Sequence, residues 1–117
     1  MPAPRPGRPA RGSTTGRPIM ALLDLLGRRW ALRVLWELRE ETLSFRNLQA
    51  RCDAMSPTVL NQRLGELRDA EVVELLPEGG FRLTTEGQKL LRALTPIDKW
   101  AERWAKREGS ARTGRDR

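Results

Sequence analysis

SPTVLNQRLGELRDAEVVELLPEGGFRLTTEG, residues 56–87, changes its apolar period midway, and that change decides the fold. Ser56 at an N-cap and Pro57 at the first helical position start a helix with favourable chemistry at both places. Leu60, Leu64 and Leu67 recur at i, i+4 and i+7 and so form one buried stripe. That phase turns Thr58, Gln62, Gly65 and Asp69 toward the opposite face, with Asn61 beside them. After Ala70 and Glu71 the spacing becomes that of a strand, residues 72–76. Pro77, Glu78, Gly79 and Gly80 make a tight turn, and Phe81-Arg82-Leu83 returns as a second strand. A helix followed at once by a short β-hairpin is the result.

Working outward, the N-terminal side holds three further helical segments. Residues 19–26 place Ile19, Leu22, Leu23 and Leu26 on one face, and Gly27 ends the segment as a helix C-terminus favours. A second helix runs from Trp30 to about Arg39, with Ala31, Leu35 and Leu38 along a stripe flanked by Leu32 and Val34. Leu43-Ser44-Phe45 reads as extended, and Ser44 also caps a brief helix over 46–51 anchored by Leu48. On the C-terminal side Thr84 caps a helix over 85–94. Thr95, Pro96 and Asp98 then fit the N-cap, N1 and N3 positions of a separate last helix to about residue 108. The order predicts a mainly α fold with a small β-hairpin wing, a winged helix-turn-helix, over residues 19–108. Residues 1–18 and 109–117 are too poor in apolar side chains to offset the entropy of ordering, and are expected to be disordered tails.

Of the net charge of +7, Arg5, Arg8, Arg11 and Arg17 supply four without an acid between them, and the C-terminal tail supplies two. The folded segment is therefore close to neutral. The tail arginines are either solvated ends or non-specific phosphate contacts that weaken as salt rises. There is no His and a single Cys, which removes the commonest general base, the commonest zinc ligand and any intrachain disulfide. No phosphate-cradling Gly-rich loop appears. The expectation is a protein that is not an enzyme and holds no metal or cofactor. No secretory h-region and no apolar run near the roughly 20 residues of a bilayer span is present, which predicts a cytoplasmic, nucleoid-associated protein.

Five segments together resemble the HxlR-type bacterial transcription regulators, neighbours of the MarR group. GRRW at 27–30 with the apolar helix after it resembles their GGKW opening, and LSFRNLQ at 43–49 their RF-x-x-L. MSPTVLNQRLGELRDAEVVE at 55–74 resembles their recognition helix and first wing strand. FRLTTEGQKL at 81–90 resembles their Y-x-L-T-x-x-G-x-x-L, and Trp100 their C-terminal Trp. The likeness covers roughly residues 17–105. Two departures stand out. Arg17 precedes Pro18 where many members have a Cys that some use as a sensor, and the wing, 74–83, is shorter than usual.

The resemblance implies a sequence-specific double-stranded DNA-binding regulator, a repressor, acting as a homodimer on a near-palindromic operator. If helix 57–70 reads the major groove, Thr58, Asn61 and Gln62 are the candidates for base contacts, since Asn and Gln pair bidentately with adenine. Arg63 is expected on a phosphate, as are Arg28, Arg29, Arg46, Arg51 and Arg82, whereas Glu66 and Asp69 should lie away from DNA. Gly65 would let the two backbones approach closely. Dimerisation is implied through the first and the C-terminal helices, with Leu22, Leu23, Trp36, Ile97, Trp100 and Trp104 as candidates. Trp30 and Trp100 also suit core packing, and Trp36 and Trp104 an interface. A small-molecule effector is compatible with these Trp faces. Cys52, beside Arg51 and Asp53, reads as an inert buried thiol rather than a redox sensor. The competing reading is a winged helix that docks a protein of the transcription machinery, which the near-neutral middle of the chain would suit.

Overall fold

The computed structural model describes residues 17–115, with side chains through Gly109, together with Pro4 and Pro6. The elements are α1 (Pro18–Leu26), α2 (Ala31–Glu37), α3 (Phe45–Arg51), α4 (Pro57–Asp69), β1 (Val73–Leu75), β2 (Phe81–Leu83) and α5 (Thr85–Arg115). The fold is mainly α with a β-hairpin wing. Leu60, Leu64 and Leu67 of α4 are buried as their spacing requires, each contributing about 1.5–3 kcal/mol of burial. They join Val34, Leu35 and Leu38 of the α2 region, Leu48 of α3, and Val73, Phe81 and Leu83 of the hairpin in one core.

The hairpin pairs Val73 with Leu83, Glu74 with Arg82 and Leu75 with Phe81 in antiparallel register. Gly79 and Gly80 turn it at φ values of 89° and 97°, conformations in which a Cβ is disfavoured. Leu43 extends the sheet by one bridge, its N–H donating to the Phe81 carbonyl at 3.0 Å and its carbonyl accepting from Phe81 at 2.7 Å. Helix α4 closes on a six-to-one bond from Val72 N–H to the Leu67 carbonyl at 3.0 Å, with Glu71 at φ 63°. That is the C-terminal motif in which glycine usually occupies the left-handed residue. Gly87, in the first turn of α5, lies so close to β1 that a Cβ there would sit 2.0 Å from the Val72 carbonyl oxygen.

Several expectations are corrected. In α1 the buried face is Ala21, Leu25 and Leu26, while Ile19 and Leu23 are exposed and Leu22 is half-buried against the core. Counting only large side chains missed the small Ala21 at the closest approach. The separate helix from Thr95 does not form: α5 runs through Pro96 unbroken to Arg115. One missing amide N–H costs a propagated helix a single bond, and the Thr95 hydroxyl reaches back to the Leu91 carbonyl at 3.4 Å. Residues 109–115 therefore continue the helix instead of forming an irregular tail. Trp100 is exposed and not in the core, because the elements packed on α5 are α2 and β2, near its start. Of the N-terminal tail, Pro18 belongs to α1, and residues 1–3, 5 and 7–16 lie outside the described residues, as do 116 and 117.

Candidate nucleic-acid interface

Helices α3 and α4 are each started by a serine. The Ser44 hydroxyl accepts from Asn47 N–H at 3.1 Å and that of Ser56 from Val59 N–H at 3.4 Å. Between the helices Asp53 and Ala54 both take left-handed φ, 57° and 54°, which turns the chain sharply at a cost of roughly 1–2 kcal/mol each. Two side chains hold the turn. Gln49 donates from Nε2 to the Met55 carbonyl at 2.8 Å. Arg33 of α2 donates from Nη2 to the Arg51 carbonyl at 2.6 Å, and its Nη1 lies 3.4 Å from Asp53. Glu37 fixes the same guanidinium at 2.8 Å from its Nε and is the chief cause of its raised pKa. Arg33 was not anticipated, since a mid-helix arginine carries no local sign of which carbonyl it will cap.

With the inner face of α4 locked in the core, its outer face carries Thr58, Asn61 and Gln62, all exposed. Among the described residues none of their side chains has a hydrogen-bond partner, so their donors and acceptors are available. Gly65 follows one turn later with nothing within 4 Å of where its Cβ would stand. This bare helical face begins at the helix N-terminus and presents hydroxyl and amide groups to solvent.

The arginines separate into two groups. Arg28 is not available for phosphate: it is 9% exposed, its Nη1 donates to Glu66, and Asp24 lies 3.8 Å from its Nη2. Arg63 is likewise committed, donating from Nε to the Arg29 carbonyl at 2.7 Å and from Nη1 to Glu66 at 2.8 Å. Glu66, expected only to avoid DNA, is thus the hub that ties the α1–α2 turn to the reading helix. The pairs Asp24–Arg28 at i, i+4 and Arg63–Glu66 at i, i+3 were legible signals of it. Arg51 pairs with Glu41 and Arg82 with Glu74 at 3.5 Å, both at the surface and so easily exchanged. Arg29 and Arg46 are exposed, Arg29 with its guanidinium 5.9 Å from the Trp30 ring. Arg68, on the outer half of α4, is exposed without an ion pair among the described residues and was missed, because only its helical phase singles it out.

Apolar surface is left open elsewhere. Leu23, Trp36, Ile97, Trp100 and Trp104 are 53%, 45%, 61%, 50% and 49% exposed. Trp100 and Trp104 stack at 6.0 Å between ring centroids, and Arg39 covers the Trp36 ring at 3.9 Å. Trp30 packs half-buried against the core. Cys52 is fully buried, and that burial pushes its thiol pKa up, with Arg33 opposing in part; a thiol so placed is a packing group. Among the described residues no cluster is arranged to hold a metal ion, and no helix is long and apolar enough to cross a membrane.

A capped helix-turn-helix with an exposed reading face and a following β-wing defines a helix-turn-helix transcriptional regulator. The chain belongs to the HxlR-like helix-turn-helix family, whose model matches residues 25–109. It is 33% identical over 88 residues to YvaP, an HTH-type transcriptional regulator of Bacillus subtilis, covering 70% of this chain and 82% of YvaP. Its fold matches a MarR-family regulator of Enterococcus faecalis V583 with a TM-score of 0.69 at 28% identity, covering 78% of this chain and 88% of that one. It also matches the quinone-bound YodB of Bacillus subtilis with a TM-score of 0.68 at 26% identity, covering 73% and 94%.

Proposed function

We propose that this regulator binds a near-palindromic operator as a homodimer and represses transcription from the promoter it occupies, in the cytoplasm and without catalysis. The observation that carries this is the division of α4: three leucines fixed in the core on one side, and on the other Thr58, Asn61 and Gln62, exposed and without a side-chain partner among the described residues. Asn61 and Gln62 supply the bidentate geometry for adenine, and Thr58 lies nearest the helix N-terminus. Arg29 and Arg46 hold phosphates on either side, with Arg51 and Arg82 joining once DNA competes for them. Arg28 and Arg63 position the reading helix instead. The wing contributes little, since Arg82 faces Glu74 and Glu78 stands at its tip.

The second copy is proposed to cover Leu23 of α1 and Ile97, Trp100 and Trp104 of α5, with Trp36 at the margin. Exposed tryptophans on one helix face are the composition of an interface core, not of free surface. Two-fold symmetry then sets two α4 helices about one DNA turn apart. The quinone of YodB is not transferred to this chain, because Arg17 stands where the family's sensor cysteine would.

The test is fluorescence anisotropy at about 150 mM salt against duplexes tiled upstream of the protein's own gene, beside a scrambled duplex. A preference of about 10³–10⁷ for one imperfect palindrome is expected. Asn61→Ala or Gln62→Ala should cost about 1–3 kcal/mol of it without moving the unfolding midpoint. Equal and steeply salt-dependent binding to every duplex would sink the reading. Sedimentation velocity should show a dimer that Trp100→Asp dissociates.

A further inference from the structure

We infer that the groove between the end of α2 and the start of α5 binds a small carboxylate with an apolar body, and that this ligand regulates DNA binding. The regulatory half rests on the DNA-binding reading above. Along α5, Gln88, Leu91, Arg92 and Thr95 fall at i, i+3, i+4 and i+7 and so share one face. That face lines a groove of about 280 Å³ whose other side is Trp36 and Arg39. Leu83 of β2, 4% exposed, supplies the floor, and Leu91 packs half-buried against the core. Two leucines and an indole offer an apolar body a surface on which to leave water. The volume lies just under the range of drug-sized sites, which suits a single ring or a short branched chain rather than a nucleotide.

The charge of the groove has a single sign. Arg39 and Arg92 line it, and no described acid does. The chain has no Asp or Glu before Asp24, so its N-terminal segment can bring only further positive charge. Helix α5 carries residue 115 about 30 Å beyond Thr95, which keeps the C-terminal end of the chain out of reach. Arg39 is already held in place. Its guanidinium covers the Trp36 ring at 3.9 Å and donates from Nη1 to the Trp36 carbonyl at 2.9 Å, while the exposed Glu40 lies 3.6 Å from its Nε. Arg92 and Gln88 are exposed, and neither side chain has an ion pair or a hydrogen bond among the described residues. A cation would meet two guanidiniums, while a neutral molecule would leave Arg92 without a counter-charge. A carboxylate on an apolar body satisfies both the floor and the rim.

The placement gives the ligand something to control. One side of the groove is α2, whose Arg33 holds the turn between α3 and α4 through the Arg51 carbonyl. The other side is α5, which further along carries the stacked Trp100 and Trp104 of the proposed dimer surface. Trp36 stands at the margin of that surface, while Leu83, Gln88 and Arg92 are not part of it. A ligand that fits one setting of α5 against α2 better than another shifts DNA affinity by its differential affinity for the two.

The site is tested first without DNA. Phenylacetate, acetate and benzylammonium are titrated into the full chain by calorimetry, beside the variant Arg92→Gln and the double variant Arg39→Gln, Arg92→Gln. Phenylacetate should bind saturably at one site per chain, and acetate and benzylammonium at least tenfold more weakly. Arg92→Gln should lose about threefold for phenylacetate and the double variant about tenfold, since each surface ion contact contributes a few-fold. Arg92 has no ion pair to lose among the described residues, so the thermal unfolding of the single variant should match the parent's. No saturable binding, equal binding of acetate or of benzylammonium, or unchanged affinity in a folded variant would overturn the site. So would an affinity that falls as the chain dimerises, which would give the groove to the second copy. Phenylacetate is then added to the operator complex. A several-fold change in operator affinity, absent in the double variant, supports regulation, and no change refutes that half alone. A chain that binds phenylacetate but no duplex specifically would refute the DNA reading and leave the site standing.

Discussion

Replacing Glu66 by Gln should destabilise the chain far more than replacing any surface acid. The Glu66 carboxylate is 12% exposed and receives Arg28 on one oxygen and Arg63 on the other, whose side chains are 7% and 16% exposed. Gln keeps the volume but presents one amide N–H₂ to guanidinium donors, leaving a cation nearly buried without its main counter-charge. Breaking such a pair from one side costs about 3–5 kcal/mol. Asp24, at 3.8 Å from Arg28, retains part of the compensation, which brings the expectation to about 2–4 kcal/mol. With a urea m-value of about 1–3 kcal/mol/M, the midpoint should fall by roughly 1–2 M. Glu41→Gln is the internal control: its Arg51 partner is half exposed, so its loss should stay below about 1 kcal/mol. Unfolding is followed by circular dichroism at one fixed chain concentration, because dimerisation would shift the midpoint by mass action. A Glu66→Gln loss no larger than that of Glu41→Gln would refute the reasoning, showing that the network is solvated in solution.

Three further outcomes are expected. Glu71→Gly should raise stability by about 1 kcal/mol in the same assay, because it relieves a left-handed residue at the C-terminus of α4. Gly87→Ala should lower it by at least about 1–3 kcal/mol, since the added Cβ meets the Val72 carbonyl and backbone must move. The Cys52 thiol should resist iodoacetamide in the native chain and react at the rate of a free thiol once urea unfolds it, mass spectrometry reading the adduct; its burial and raised pKa both oppose thiolate formation.

What the sequence disclosed depended on whether a signal was local. Ser56-Pro57, the Leu60–Leu64–Leu67 spacing and Gly79-Gly80 each act within one turn or less, and α4 and the hairpin came out as read. The Thr95–Pro96–Asp98 pattern is local too, yet misled. The same residues that start a helix are tolerated inside one already propagating, and only the neighbours decide. Base-reading candidates could be placed by phase alone, because Thr58, Asn61 and Gln62 are defined by not being Leu60 and Leu64. The arginines could be placed only in part. Asp24–Arg28 and Arg63–Glu66 lie within about one turn of each other and are legible, but nothing local marks the bond from Arg28 to Glu66, 38 positions further on. Ionic pairing across such separations is a property of the packed fold.

Helix α5 sets a rule about chain length. It rises about 1.5 Å and turns about 100° per residue, and packs on the body only near its start. Ile97, Trp100 and Trp104 therefore hold their direction relative to the reading helix through an uninterrupted count of peptide units. Inserting one residue after Leu94 would swing that tryptophan stripe by about 100°, whereas inserting seven would return it within about 20° and move it some 10 Å outward. Length variation in this segment among relatives should therefore be discrete, favouring whole turns over single steps.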